Sequence, residues 1–475
     1  MTLLPTPPSV TTTLPVRAIP GTYGWPVVGP LSDRLDYFWF QGSETFFRKR
    51  MEKHKSTVFR TNVPPCFPLF TGVNPNVVAV LDCKSFSHMF DMEIIEKRDT
   101  LVGDFMPSVS YTGKQRVCAY LDTSEENHTK IKGFALDILK RSSKVWISSL
   151  ISSLDTMWST IDESLATKGK ASYVIPLQKC LFTFLSKSII GADPETRPHI
   201  AKSGYATLDT WLALQLLPTQ GIGLLQPLEE IFLHSFAYPF WLVKGGYDKL
   251  VEFISEEGKE VVERGQVEFG LSREETIHNL LFILGFNAFG GFSVFLPTLL
   301  SHLGKDTTGE QRKLREEIRS KSMGTSTLSF ESVTQMPLVQ SYVYEILRLN
   351  PPVPIQYGRA RKDFQLSSHD SAFDVKKGEL LCGYQKLVMR DPEVFDDPET
   401  FISDRFTGSK GEKLLNYLYW SNGPQTGSPS TSNKQCVAKD YVTRTACLFV
   451  AYLFQRYDSF TCNSAGQITA AVKAK

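Results

Sequence analysis

The sequence predicts a mainly α-helical protein with small β-sheets, folded as a single large domain. From Val437 to Tyr457 the residues Val442, Ala446, Phe449, Val450, Leu453 and Phe454 recur at spacings of three and four, the period of a helix with a buried face. Residues 276–304 hold no Asp, Glu, Lys or Arg. His278, Asn287, Gly290, Gly291 and Pro297 interrupt that stretch, and Glu274 and Glu275 stand just ahead of it. It therefore reads as one long buried helix through the domain rather than a membrane span. Length alone would suggest about three domains, yet no Pro/Gly/Ser-rich linker or composition break divides the 475 residues.

The net charge of +2 and the lack of a basic run argue against nucleic acid as a partner. The eight cysteines form no CxxC pair, as expected of thiols in a reducing compartment. The eight histidines form no H-x-x-x-H pair, which argues against a helical zinc motif.

The first 32 residues contain no acid, are rich in Thr, Pro and Ser, and carry Arg17 as their one basic residue. Such a segment is either a plastid-targeting leader or a plain disordered arm, and residues 1–19 are expected to be that arm. Regular Gly and Pro from Pro20 to Pro30 then make a rigid lead-in. Short strands are expected at 57–62 and 77–82. A basic region follows, with Lys97, Arg98, Lys114, Arg116, His128, Lys130 and Lys132. On a helix, His128 and Lys132 share one face. They can hold two carboxylates of a ligand, or simply face solvent.

Residues 211–243 are apolar and aromatic but broken by Pro218, Gly221, Gly223, Pro227 and Pro239. They are either ordinary core or an apolar lip dipping into one membrane leaflet. Asn287 is a lone amide in an apolar helix, and Gly290-Gly291 would let something flat approach the backbone. Residues 305–331 read as charged surface. Pro337 opens a helix that carries Glu345 and Arg348 and ends near Pro351. Strands are expected around 363–368 and 372–383. The last landmark is Cys436. Fifteen residues, Ser421 to Gln435, precede it without one large apolar side chain. A thiol between such a loop and a helix N-terminus is a metal ligand, a nucleophile, or a small buried residue.

In order, the Gly/Pro lead-in, the central helix, Glu345-x-x-Arg348 ended by Pro351-Pro352, Asp404-Arg405-Phe406 and Cys436 resemble the haem-thiolate cytochromes of the cytochrome P-450 superfamily. The likeness runs from about Pro20 to the C-terminus. Trp420-Ser421-Asn422-Gly423-Pro424, the long insert, and Asn433-Lys434-Gln435-Cys436 with Lys439-Asp440 look like the plant branch that acts on fatty acid hydroperoxides. That branch comprises allene oxide synthases, divinyl ether synthases and hydroperoxide lyases. Leu284 to Phe292 and Asp36 to Gln41 look like its 13-hydroperoxide lyases.

The resemblance implies a haem-thiolate catalytic domain over residues 20–475, with haem b as cofactor and Cys436 as the axial thiolate on its iron. Lys97, His128, Lys132 and Lys434 would surround the haem carboxylates. Asn287 would face the hydroperoxide, with Leu101 and Ala288 in the substrate pocket. Glu345, Arg348 and Arg405 would form a structural ion-pair cluster. The implied reaction cleaves 13-hydroperoxides of linoleic and linolenic acid, by way of a hemiacetal, into a six-carbon aldehyde and a twelve-carbon ω-oxo acid. It needs no dioxygen, NADPH or redox partner. The implied location is the chloroplast, on the envelope or thylakoid by peripheral contact, without a transmembrane anchor.

Departures sharpen this expectation. The superfamily's Phe, Gly and Arg ahead of the Cys are here Pro429, Ser432 and Lys434, and the acid–Thr proton relay of the central helix is missing. Val437, Lys386 and Ser403 depart from the narrower branch. Allene oxide synthases carry Phe where this chain has Leu101, so an aliphatic residue there favours the lyase. The competing readings are an allene oxide synthase, a redox-partnered monooxygenase and a non-catalytic haem protein of lipid particles.

Overall fold

The structure is a computed structural model that describes residues 14–66, 70, 72–223, 226–306, 309–322 and 328–474. Seven helices matter for the site: α1 (Val28–Leu35), α2 (Glu126–Lys168), α3 (Pro198–Leu216), α4 (Lys244–Glu257), α5 (Arg273–Gly304), α6 (Pro337–Leu349) and α7 (Lys439–Arg456). The strands are β1 (Val16–Arg17), β2 (Val58–Asn62), β3 (Asn76–Val80), β4 (Ile95–Glu96), β5 (Ala171–Ser172), β6 (Ile355–Ala360), β7 (Phe364–Ser367), β8 (Ala372–Val375), β9 (Leu380–Tyr384), β10 (Tyr457–Cys462) and β11 (Gln467–Lys473). They form three small sheets, ordered β2-β3-β9-β6-β4, β1-β8-β7 and β10-β11-β5. Mainly helical with small sheets is the expected class.

The expected central helix is α5. Ser272 caps it, accepting from the Glu275 N–H while Glu275 reaches back to the Ser272 N–H, which satisfies two otherwise open donors. Leu280, Leu281, Leu284, Leu296, Leu299, Leu300 and Leu303 are all sealed inside, each contributing roughly 1.5–3 kcal/mol of burial. Residues Ile283–Phe289 are wound as a π-helix, a winding that accommodates an extra residue and often marks a functional site. The terminal helix α7 is buried on nearly all sides from Thr445 to Phe454. Trp146 of α2 donates to Thr445 Oγ at 2.8 Å and joins α2 to α7.

Two expectations change. The arm expected at 1–19 is shorter at its inner end: Val16 and Arg17 pair with Ala372 and Phe373 in a parallel ladder, and Ile19 is buried. Residues 1–13 lie outside the described residues. The apolar stretch 211–243 is core and surface at once. Trp211 is buried, whereas Ile231, Phe232 and Trp241 are more than half exposed; Leu224 and Leu225 lie outside the described residues. Trp25 and Val28 of the lead-in, and Phe40 beyond α1, are just as open. A buried ion cluster ties these two surfaces together. Arg34 meets Glu230 at 2.9 Å, His234 Nδ1 meets Glu230 at 2.8 Å, and Phe38 stacks on His234 at 3.7 Å.

Candidate active site

Cys436 closes a loop in which the polar groups hold one another. Its N–H donates to the Ser421 carbonyl at 2.9 Å, and its own carbonyl accepts from Lys439 N–H at 3.2 Å. Burial pushes the thiol up; the Ala438 N–H, Lys132 and Lys439 pull it back. The Gln435 side chain lies against Gly423 and Gly427, where a Cβ would come within 2.9 and 2.7 Å of it, and donates to the Pro424 carbonyl at 2.7 Å. Asn422 sits at φ 61°, donates to the Lys434 carbonyl at 3.0 Å and accepts from Lys97 Nζ at 2.6 Å.

Four basic side chains gather around this loop. Lys97, His128 and Lys132 are buried, and Lys434 partly so. Lys132 donates to the carbonyls of Asn433 and Gln435 at 3.2 and 2.5 Å, and Lys434 to those of Cys118 and Leu121 at 2.8 and 2.7 Å. An ammonium has three donors, so Lys97 keeps two and Lys132 and Lys434 keep one each. Neither ring nitrogen of His128 has a partner at full hydrogen-bond geometry among the described residues, although the Thr431 backbone acts on the ring. Among the described residues, no carboxylate lies within ion-pair distance of these lysines. Burial drives Lys97 down to about 7, Lys132 to about 8 and His128 to about 4, with Lys434 adding to each shift. Buried cations without counter-charge are costly. Two convergent carboxylates, such as those at a haem edge, would satisfy every open donor, so the residues present fit the group.

On α5, Asn287, Gly291 and Val294 follow one another at spacings of four and three. Asn287 is exposed and Val294 is 53% exposed although the helix crosses the core. A Cβ at Gly291 would meet nothing within 4 Å, whereas one at Gly290 would come within 2.6 Å of Leu212. The flat approach expected of the Gly pair therefore belongs to Gly291; Gly290 is packed shut. Ala288 and Leu101 are half-buried against the core. The Leu101 segment is held by the Asp99 N–H on the Tyr120 carbonyl at 2.9 Å and by the Val102–Phe105 bridge.

Glu345, Arg348 and Arg405 meet as expected. Glu345 receives Arg348 Nε at 2.7 Å, Arg405 Nε at 3.0 Å and the Ile402 N–H at 3.0 Å. The remaining guanidinium donors reach carbonyls of Met389, Pro398, Asp397 and Thr400. Arg348 spends all five of its donors, Arg405 Nη1 reaches the Asp396 carbonyl with one N–H to spare, and both guanidiniums face the Glu345 carboxylate.

Sequence reasoning missed Asn422, Gln435 and Asp122. Asp122 is fully buried, accepts the Lys97 N–H at 2.9 Å and pairs with Arg361 at 2.5 Å. Its spacing to Glu125 is that of a capping box, and the Glu125 carboxylate does accept the Asp122 N–H at 2.8 Å.

The sequence pattern of the cytochrome P450 family matches residues 272–425. The match stops short of Cys436, where the loop departs from the usual residues. The chain is 66% identical over 473 residues to a chloroplastic fatty acid hydroperoxide lyase of Solanum lycopersicum, covering 99% of each. It is 59% identical to a chloroplastic linolenate hydroperoxide lyase of Arabidopsis thaliana, covering 99% of this chain and 95% of that one. A second Arabidopsis thaliana relative, 57% identical over 81% of this chain and all of its own length, is described as a probable inactive linolenate hydroperoxide lyase. The chain belongs to the cytochrome P450 family, a haem-thiolate iron family, and within it to the branch of the fatty acid hydroperoxide lyases.

Proposed function

We propose that this protein is a chloroplast fatty acid hydroperoxide lyase. It splits the 13-hydroperoxides of linoleic and linolenic acid into a six-carbon aldehyde and a twelve-carbon ω-oxo acid. The observation that carries the reading is the 66% identity over essentially the whole of both chains. The cofactor is haem b, in keeping with a chain that lacks a C-x-x-C-H attachment motif. When bound, it supplies an electron-rich iron that favours O–O cleavage.

The chain's own residues have distinct tasks. Cys436 would hold the haem iron through its thiolate. Lys97, His128, Lys132 and Lys434 would hold the haem carboxylates with the donors left open on them. Gly291, where a Cβ would meet nothing within 4 Å, would leave room for that flat group. Asn287 presents its amide to the hydroperoxide and orients the O–O bond. Leu101 and Ala288 line the pocket with aliphatic surface. With no aromatic ring at position 101 to assist oxidation of the substrate's carbon radical, the radical proceeds to a hemiacetal, which falls apart into the two products. The exposed Trp25, Phe40, Ile231, Phe232 and Trp241 supply apolar surface, and the Arg34–Glu230 pair ties the segments around residues 34 and 230 together. This surface dips into one leaflet of the envelope or thylakoid membrane, a peripheral contact.

The test is product analysis of the purified haem protein with 13-hydroperoxy-linolenic acid and no NADPH, by gas chromatography–mass spectrometry. The expected products are the six-carbon aldehyde and twelve-carbon oxo acid. Ketols or a cyclopentenone would instead make it an allene oxide synthase. Intact hydroperoxide would make it a non-catalytic haem protein, an outcome that the inactive relative keeps relevant.

A further inference from the structure

A Tyr–His pair stands beside the π-wound turn of α5 and takes no part in the scheme above. Tyr247 of α4 donates its hydroxyl to His278 Nδ1 of α5 at 2.7 Å, and the two rings lie 3° from parallel. Tyr247 is 3% exposed. The imidazole is pressed against the backbone of Gly113, at φ 62°, where a Cβ would overlap the ring. Trp211 of α3 bridges the pair to the active-site helix. Its ring centroid is 6.1 Å from that of Tyr247, and its edge reaches within 2.8 Å of a Cβ placed at Gly285, two residues from Asn287. On the other side, Phe240 packs edge-on to Tyr247 at 5.3 Å, and its neighbour Trp241 is 72% exposed.

Tryptophan and tyrosine are the aromatic side chains that give up an electron most readily. A phenol does so only if its proton leaves with the electron, and a neutral imidazole at hydrogen-bond distance takes it. Burial keeps His278 neutral and Tyr247 protonated, so Nδ1 is the acceptor. Glu274, one turn ahead on α5, favours the imidazolium once formed.

We infer that Tyr247, with His278 as proton acceptor and Trp211 as bridge, is a redox-active tyrosine that protects the site when a substrate radical escapes. The inference rests on the hydroperoxide reading above. Homolysis of the O–O bond leaves one oxidising equivalent in the site, which a completed turnover consumes. When the radical escapes, Tyr247 supplies one electron through Trp211 and that equivalent is reduced. The phenolic O–H bond breaks, the proton passes to His278, and a neutral tyrosyl radical remains. A soluble one-electron reductant of the ascorbate or thiol class restores the phenol through Phe240 and the exposed Trp241 beside it.

The haem-loaded protein is mixed in separate arms with an aryl peracid and with 13-hydroperoxy-linolenic acid, then freeze-quenched for electron paramagnetic resonance. A tyrosyl signal is expected in both arms. It should vanish in Tyr247→Phe and in His278→Gln, which keeps a hydrogen-bond acceptor but no base. Both variants should keep the initial rate yet inactivate after severalfold fewer turnovers. A signal with the peracid beside untouched hydroperoxide would support the radical site and refute the lyase reading. No tyrosyl signal with either oxidant, or one undiminished in Tyr247→Phe, would overturn the inference.

Discussion

Two buried cationic clusters, built in opposite ways, serve this fold. Around Glu345, two guanidiniums share one carboxylate, and all but one of the remaining donors reach backbone carbonyls. Around Cys436, three lysines and a histidine meet no carboxylate among the described residues, and several donors remain open. The first cluster is complete as protein. The second is complete only with an anionic group that the chain does not supply. Burial is alike in both; the counter-charge and the inventory of unspent donors separate scaffold from binding site.

The largest effect should come from breaking the complete cluster. Glu345→Gln leaves two buried guanidiniums short of a counter-charge, a loss of about 3–5 kcal/mol. Thermal melting should show it with and without haem; a melting point close to wild type would erase the distinction between the clusters. Lys97→Met should act in reverse. It removes an unbalanced buried ammonium, so the haem-free chain should melt higher, while haem affinity falls roughly tenfold or more. Haem transfer to apomyoglobin measures the second quantity, and unchanged retention would remove Lys97 from the site.

A pH series sharpens the same contrast. In the haem-free chain Lys97 is held at about 7, below the usual 10.5, by burial first and Lys434 second. Between these values the unfolded chain binds a proton that the folded chain does not. Stability therefore rises with pH across that window, and the penalty is fully present below it. His128, lowered to about 4 from 6.5, adds a like rise at acid pH. Melting curves should show both slopes and lose them when haem is bound. A flat profile for the haem-free chain would count against a counter-charge deficit. The smallest effect on stability belongs to Leu101→Phe, which should leave the melting point near wild type and shift product toward allene oxide; an unaltered aldehyde yield would end the argument from that residue.

Much of this was legible beforehand. Cys436 announced itself by the polar run ahead of it and the helical period behind it, and Pro337 and Pro351 bracketed α6. The burial of Lys97 and Lys132 was not legible, because they stand among solvated basic residues of the same type. Nor was the left-handed turn at Asn422, a backbone state set by its two hydrogen-bond partners. The π-winding hides because Ile283–Phe289 keeps the apolar texture of a plain helix. Strand β6 was overlooked for its Gly358 and Arg359, and the β10–β11 hairpin because most of β11 faces outward. Gly290 and Gly291 look interchangeable on paper, and only their neighbours tell them apart.

The π-wound turn also bears on how such a protein can change. It holds a residue more than ordinary α-winding needs, and each residue of an α-helix turns the chain by about 100°. Deleting one residue between Ile283 and Phe289 would relax the turn without breaking the helix. The buried leucines after Pro297 could keep their register, while Asn287 would swing off the open face. A single in-frame codon loss is thus a short mutational route from this pocket to one with a different group over its centre.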